Sequence, residues 1–201
     1  EVEYYGDDCI HAEERAQEIS KTTGATYISP YNDEAIVSGQ GTLGMEVSQD
    51  LADIDAIFIS VGGGGLISGV GGYLKSVNQS TQVHGVSPKN SCVMYESLNA
   101  GKQLDLPSKP TLSDGTAGGV EFGSITFEAC KEIIDDFTIV SEDEIAKGIQ
   151  IGLEKNHQLI EGAAGAAIAG FINQKEKIKG QTVVLVMCGG NISSAVLKSI
   201  L

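Results

Sequence analysis

Basic residues are scarce in this chain. Of 201 residues, 13 are Lys or Arg against 27 Asp or Glu, a formal charge of −14. Such a surface repels polyanions, so nucleic acid and anionic membranes are not expected as partners. A small anion held at one local site remains compatible with it. Long hydrophobic runs are also missing. The longest strongly apolar windows, Ile57–Val61 and Val183–Met187, are strand-sized and too short to cross a membrane. Residues 1–8 are acidic and have neither the basic nor the apolar region of a secretion signal. Paired ligand motifs are absent too. Cys9, Cys92, Cys130 and Cys188 form no CxxC pair, and His11, His84 and His157 form no HExxH pair, so no metal site is expected. Scattered cysteines without a secretion signal predict reduced thiols and a cytoplasmic protein.

What is present is an alternation. Asp8–Lys21 places Ala12, Ala16 and Ile19 on one face and predicts a helix stopped by Gly24. "ATYIS" (25–29) predicts a short strand, and "DEAIVSGQGTLGMEVSQDL" a turn followed by a helix to Leu51. "DAIFISV" (55–61) is β-branched and aromatic without polar alternation, the pattern of a strand buried on both faces. Helical spacing returns over Leu66–Val77, followed by the strand "QVHGVS" (82–87) and a helix over Cys92–Ala100. Residues 101–123 are rich in Gly, Pro, Ser and Thr and read as a long irregular connection. A helix over Ile125–Ile134 and the strand "FTIV" (137–140) come next, then a helix opened by a Ser141/Glu144 capping box. "GAAGAAIAGFI" (162–172) is a small-residue helix able to pack very close to a neighbour. "TVVLVM" (182–187) predicts the last buried strand and "ISSAVLKSIL" the last helix. This order predicts an α/β fold: a three-layer sandwich with a mostly parallel sheet covered on both faces. Ligands of such sheets sit at the carboxyl ends of the strands. Two glycine turns fall at such ends, Gly62–Gly65 and Gly189–Gly190.

Four consecutive glycines lose much conformational freedom on folding, so the first turn needs a reason. A P-loop requires a lysine beside its glycines, and none follows until Lys75. A dinucleotide fingerprint requires GxGxxG. Counted from Gly62 or Gly63, its last glycine falls on Ile67 or Ser68; counted from Gly64, its middle one falls on Leu66. The next strand ends Val86-Ser87-Pro88, without the carboxylate that would hold a ribose. What remains is a single phosphate on the N–H groups of Gly63–Leu66, at a helix start. The competing explanation is a tight strand–helix crossing. It accounts for Gly69 and Gly72 more readily than for four glycines in a row.

At these residues the chain resembles a known family. "SVGGGGLISG" is similar to the tetraglycine phosphate loop of the serine/threonine dehydratase and serine racemase group, fold type II enzymes that depend on pyridoxal phosphate (PLP). "GQGT", "TLSDGTAGG", "VSEDEI", "LIEGAAGAAIAG" and "CGGNIS" also resemble family segments, in the family's order and over nearly the whole chain. The resemblance implies a tryptophan-synthase-beta-like PLP fold. It implies that Gly62, Gly63, Gly64, Gly65 and Leu66 hold the cofactor phosphate and that Cys188 faces the pyridine nitrogen. It further implies that Gly115 lies near the substrate and that Glu161 points toward the ring. A thiol of ordinary pKa ~8.5 is too weak an acid to protonate that nitrogen fully, and a neutral pyridine suits elimination. Taken alone, Cys188 is more commonly a buried apolar thiol, and Glu161 is equally a helix-start carboxylate.

Two departures from the family pattern shape the expectation. The family's Schiff-base lysine sits in a motif like "SFKxRG", and no lysine here has Phe before it or Arg two residues after it. The resemblance therefore implies a C-terminal portion of such an enzyme, with a fold incomplete at its N-terminus and no catalytic residue of its own. Residues 1–38 would be the remainder of a small domain and 39–201 the C-terminal part of the large PLP-binding domain. Ser87 and Val93 stand where eukaryotic serine racemases place metal-binding acidic residues, so no metal is expected there. The activity implied for the complete enzyme, a homodimer, is conversion of a small amino acid, L-threonine or L-serine, to a 2-oxo acid and ammonia. Serine racemisation and a non-catalytic phosphate- or PLP-binding module are the alternatives.

Overall fold

The computed structural model describes residues 2–201. At its centre lies β1 (Ala56–Ser60), flanked by β2 (Gln82–Pro88) on one side and β4 (Val183–Leu185) on the other, with β3 (Asp136–Val140) beyond β2. All three ladders are parallel: Ala56 pairs with Gln82 and with Val183, and His84 pairs with Asp136. Every residue of β1 is buried, as its unbroken apolar run predicts.

Alternate residues of β1 serve opposite layers. Ile57, Ile59 and Val61 point into a core shared with α3 (Gly65–Val77), α4 (Val93–Ala100) and α5 (Ile125–Ile133). Leu43 and Val47 of α2 (Glu34–Asp50) pack against this core from outside. Ala56 and Phe58 point the other way, into a core shared with α6 (Glu142–Asn156), α7 (Gly162–Gln174) and Ile200 of α8 (Ser194–Ile200). The expected three layers are therefore present. Each fully buried Ile or Phe of β1 contributes on the order of 1.5–3 kcal/mol.

Small residues set the helix spacing. A Cβ on Gly44 of α2 would lie 2.8 Å from the Val70 carbonyl oxygen of α3, and one on Gly165 of α7 would lie 2.9 Å from that of Ile145 in α6. In both pairs a glycine lets the backbones of the two helices approach closely. Local signals were met as well. α1 (Cys9–Thr23) is capped by Asp8 and closed by Gly24 at φ 74°, and both halves of the Ser141/Glu144 capping box form. α2 runs unbroken across positions 38 and 39, the expected domain division.

Two strand expectations are corrected. "ATYIS" is not a strand: it pairs with none of the four strands, and Ile28 is 67% exposed. β-propensity makes no strand without a partner for the backbone groups. The last strand covers three residues rather than six. It lies at the sheet edge and pairs only with Ala56–Phe58 of β1.

Candidate cofactor-binding site

The tetraglycine turn joins β1 to α3. Val61 N–H still donates to the Val86 carbonyl at 2.8 Å, and the Ser68 N–H reaches that of Gly64 at 3.0 Å. Between them, among the described residues, the N–H groups of residues 62–67 find no acceptor in the chain. This is a run of unpaired donors at the positive end of a 13-residue helix. Leu66 packs its side chain against the core, leaving its N–H as the polar group it offers to the turn.

The other side of the turn corrects the expectation that packing accounts poorly for four glycines in a row. Each missing side chain is replaced by a protein neighbour. A Cβ on Gly62 would lie 2.8 Å from the Thr116 carbonyl oxygen, and one on Gly63 would enter the Tyr31 ring. On Gly64 it would meet the Cys130 sulfur at 2.8 Å, and on Gly65 the Tyr31 Cβ at 2.9 Å. Gly64 also holds φ 86°, which a side chain would strain. The glycines thus let protein close in on the turn from outside, while the N–H groups stay free for a ligand.

The second turn, after β4, is built around Glu161. Its N–H donates to the Gly189 carbonyl at 3.0 Å, and its Oε2 accepts from the Asn191 N–H at 2.8 Å. A Cβ on Gly189 would lie 2.5 Å from the carboxyl carbon, and one on Gly115 would lie 3.2 Å from Oε1. Glu161 is therefore held between the CGGN turn and the 3₁₀ turn Asp114–Thr116 of the long connection. Thr116 of that same turn covers Gly62. The structure brings the three motif regions together, and Glu161 is both helix-start residue and link between two of them.

Cys188 sits beside β1, with its sulfur 3.4 Å from the Ser60 hydroxyl. The residue keeps some access to solvent, yet the protein packed around its thiol raises the pKa. The Ser60 hydrogen bond opposes this and the Glu161 charge adds to it. The thiol is thus held in its neutral form. Ser87 is fully buried and donates to the Val61 carbonyl at 2.7 Å, while Val93 is buried in the core.

Sequence reasoning missed Tyr31, Ser60, Thr116, Thr126 and Cys130. Thr116 had a signal, its place in "SDGT". Ser60 had one too, as the first residue of "SVGGGGLISG". Tyr31, Thr126 and Cys130 lie outside the quoted motifs and reach the site through long-range packing. Tyr31 also ties its hydroxyl to two partners, donating to Glu13 at 2.9 Å and accepting the Glu121 N–H at 2.8 Å.

The fold and site together define a class. It is a doubly wound α/β domain with an amide-lined turn at the carboxyl edge, where β1 leads toward β2 and β4 returns on the opposite side. A family model described as "Pyridoxal-phosphate dependent enzyme" matches residues 1–189. The chain belongs to that family, within the fold type II group of serine/threonine dehydratases and racemases. An L-threonine ammonia-lyase from Thermotoga maritima is 41% identical over 181 residues, covering 90% of this chain and 45% of that protein. The structure of the processed form of threonine deaminase isoform 2 from Solanum lycopersicum matches with a TM-score of 0.90 at 35% identity, covering 98% of this chain and 57% of that one. Maize serine racemase matches with a TM-score of 0.88 at 26% identity, covering 99% and 61%. The chain spans about half the length of the curated relatives it matches. The family's cofactor is the one the sequence implied.

Proposed function

We propose that the protein to which this chain belongs converts L-threonine or L-serine to a 2-oxo acid and ammonia. The observation that carries this is the unpaired N–H run of residues 62–67 at the start of α3, with the Cys188 thiol on Ser60, two residues before that run. When bound, pyridoxal phosphate supplies an electron sink for the substrate's α-carbon. This chain's residues fit that group. The amides of Gly62, Gly63, Gly64, Gly65 and Leu66 are donors without protein acceptors, which suits phosphate oxygens and the helix dipole behind them. Cys188, hydrogen-bonded to Ser60, would offer the pyridine nitrogen a neutral partner; the protein packed around the thiol raises its pKa, and the Glu161 charge adds to that. Gly115, whose missing side chain leaves room for the Glu161 carboxylate 3.2 Å from where a Cβ would sit, would lie near the substrate.

Residues 1–38 belong in this proposal to the smaller domain of the whole enzyme and 39–201 to its large domain, and the whole enzyme is a homodimer. Four unpaired cysteines support a cytoplasmic setting. No helix among the described residues is long and apolar enough to cross a membrane.

The test is to supply the full-length protein with pyridoxal phosphate and follow 2-oxo acid release. Product from L-threonine or L-serine is expected, and release from neither overturns the proposal. The similarity to maize serine racemase supports a second reading, racemisation. Chiral separation of the serine left in the same reaction decides it.

A further inference from the structure

Thr126, in the first turn of α5, is fully buried and touches the tetraglycine turn across 63 residues of sequence. Its hydroxyl lies 2.6 Å from the Gly63 carbonyl oxygen. A carbonyl only accepts, so the single hydroxyl proton of Thr126 goes there. The Ser124 hydroxyl also reaches the Thr126 hydroxyl, and with the threonine proton committed, Ser124 is the donor. Ser124 in turn accepts the Thr126 N–H at 3.2 Å. This hydroxyl relay ends on one peptide plane. In a trans peptide the C=O and the following N–H point in opposite directions, and there is no cis bond among the described residues. Drawing the Gly63 carbonyl toward α5 therefore turns the Gly64 N–H away from α5. Behind Gly64, the Thr126 Cβ and Cys130 sulfur stand 3.1 and 2.8 Å from where a side chain would begin, closing off a retreat.

We infer that Thr126 is a positioning residue, which aims the Gly64 N–H and the amides beside it at the cofactor's phosphate. This rests on the proposed phosphate role of the turn.

The experiment compares dissociation constants of the full-length protein for pyridoxal phosphate and for pyridoxal, which lacks the phosphate. Thr126→Val keeps the branched Cβ and removes the proton. It is expected to weaken pyridoxal phosphate about tenfold, the scale of leaving one buried carbonyl unpaired, and to leave pyridoxal unchanged. Thr126→Ser, which keeps the hydroxyl, is expected to restore wild-type affinity. A Thr126→Val protein with an unaltered preference for the phosphorylated ligand overturns the positioning role and leaves the phosphate turn standing. Equal binding of both ligands by the wild type overturns the phosphate turn itself, and the positioning role with it. An equal loss for both ligands, with a lower melting temperature of the cofactor-free protein, shows a merely structural hydroxyl and also overturns it. Should Thr126→Val fail to fold, Ser124→Ala removes the donor behind Thr126. A roughly threefold loss confined to pyridoxal phosphate is then expected, and no loss overturns the inference.

Discussion

The two glycine turns at the carboxyl edge of the sheet look alike in sequence and are held in opposite ways. Gly62–Gly65 is enclosed by backbone, ring and sulfur from three separate segments, carrying Tyr31, Thr116 and Cys130. Gly189 faces one carboxylate, that of Glu161, and Gly190 approaches the Leu159 carbonyl. The first turn is rigid because many neighbours agree on its shape. The second depends on one side chain that also joins the Asp114–Thr116 turn through Gly115. Close approach by backbone, ring and sulfur fixes the first turn's shape, while approach by a single acid side chain leaves the second adjustable.

The largest test of this contrast is Gly64→Ala. The left-handed backbone and the Cys130 sulfur together are expected to cost about 3 kcal/mol in urea denaturation. Gly189→Ala is expected to cost about 1 kcal/mol, because the Glu161 carboxylate can swing aside once its bond to Asn191 is given up. Equal losses would erase the distinction. Tyr31→Phe keeps the ring against Gly63 and Gly65 and removes the hydroxyl. It is expected to cost about 1.5 kcal/mol, since the Glu121 N–H loses its acceptor. On the second turn, Glu161→Gln removes a charge that raises the Cys188 pKa. Faster alkylation of Cys188 at mildly alkaline pH is expected, read by mass spectrometry of the peptide that carries it.

The smallest expected effect concerns the far end of Tyr31. Burial raises the Glu13 pKa above its ordinary 4.5; the Tyr31 hydrogen bond opposes this, and the charges of Glu121 and Asp8 add to it. A raised acid binds its proton more readily in the folded state. Its contribution to stability is therefore full below pH 4.5 and is lost as pH rises through the folded value. Glu13→Gln still accepts from Tyr31 and escapes that loss. It is expected to gain slightly on the wild type in urea denaturation at neutral pH, with the gain vanishing in acid.

Much of the architecture was legible because its signals are local. The Ser141/Glu144 capping box starts α6, Gly24 ends α1, and the unbroken apolar run of β1 marks a strand buried on both sides. "ATYIS" misled for the same reason: its residues favour a strand, but only a neighbouring strand makes one, and neighbours are not local. Glu161 and Cys188 were reachable because each stands inside a motif. Tyr31, Thr126 and Cys130 were not, since no motif around them points to the tetraglycine turn.

The amino-acid sequence by itself determined the alternation of strands and helices, the place of both glycine turns and the free amides at the start of α3. Those follow from backbone propensity and from the few residues flanking each turn. What fills the space beside each glycine was decided only by the tertiary structure. Tyr31, Thr116 and Cys130 come from separate segments, and folding around the shared core is what brings them against one turn.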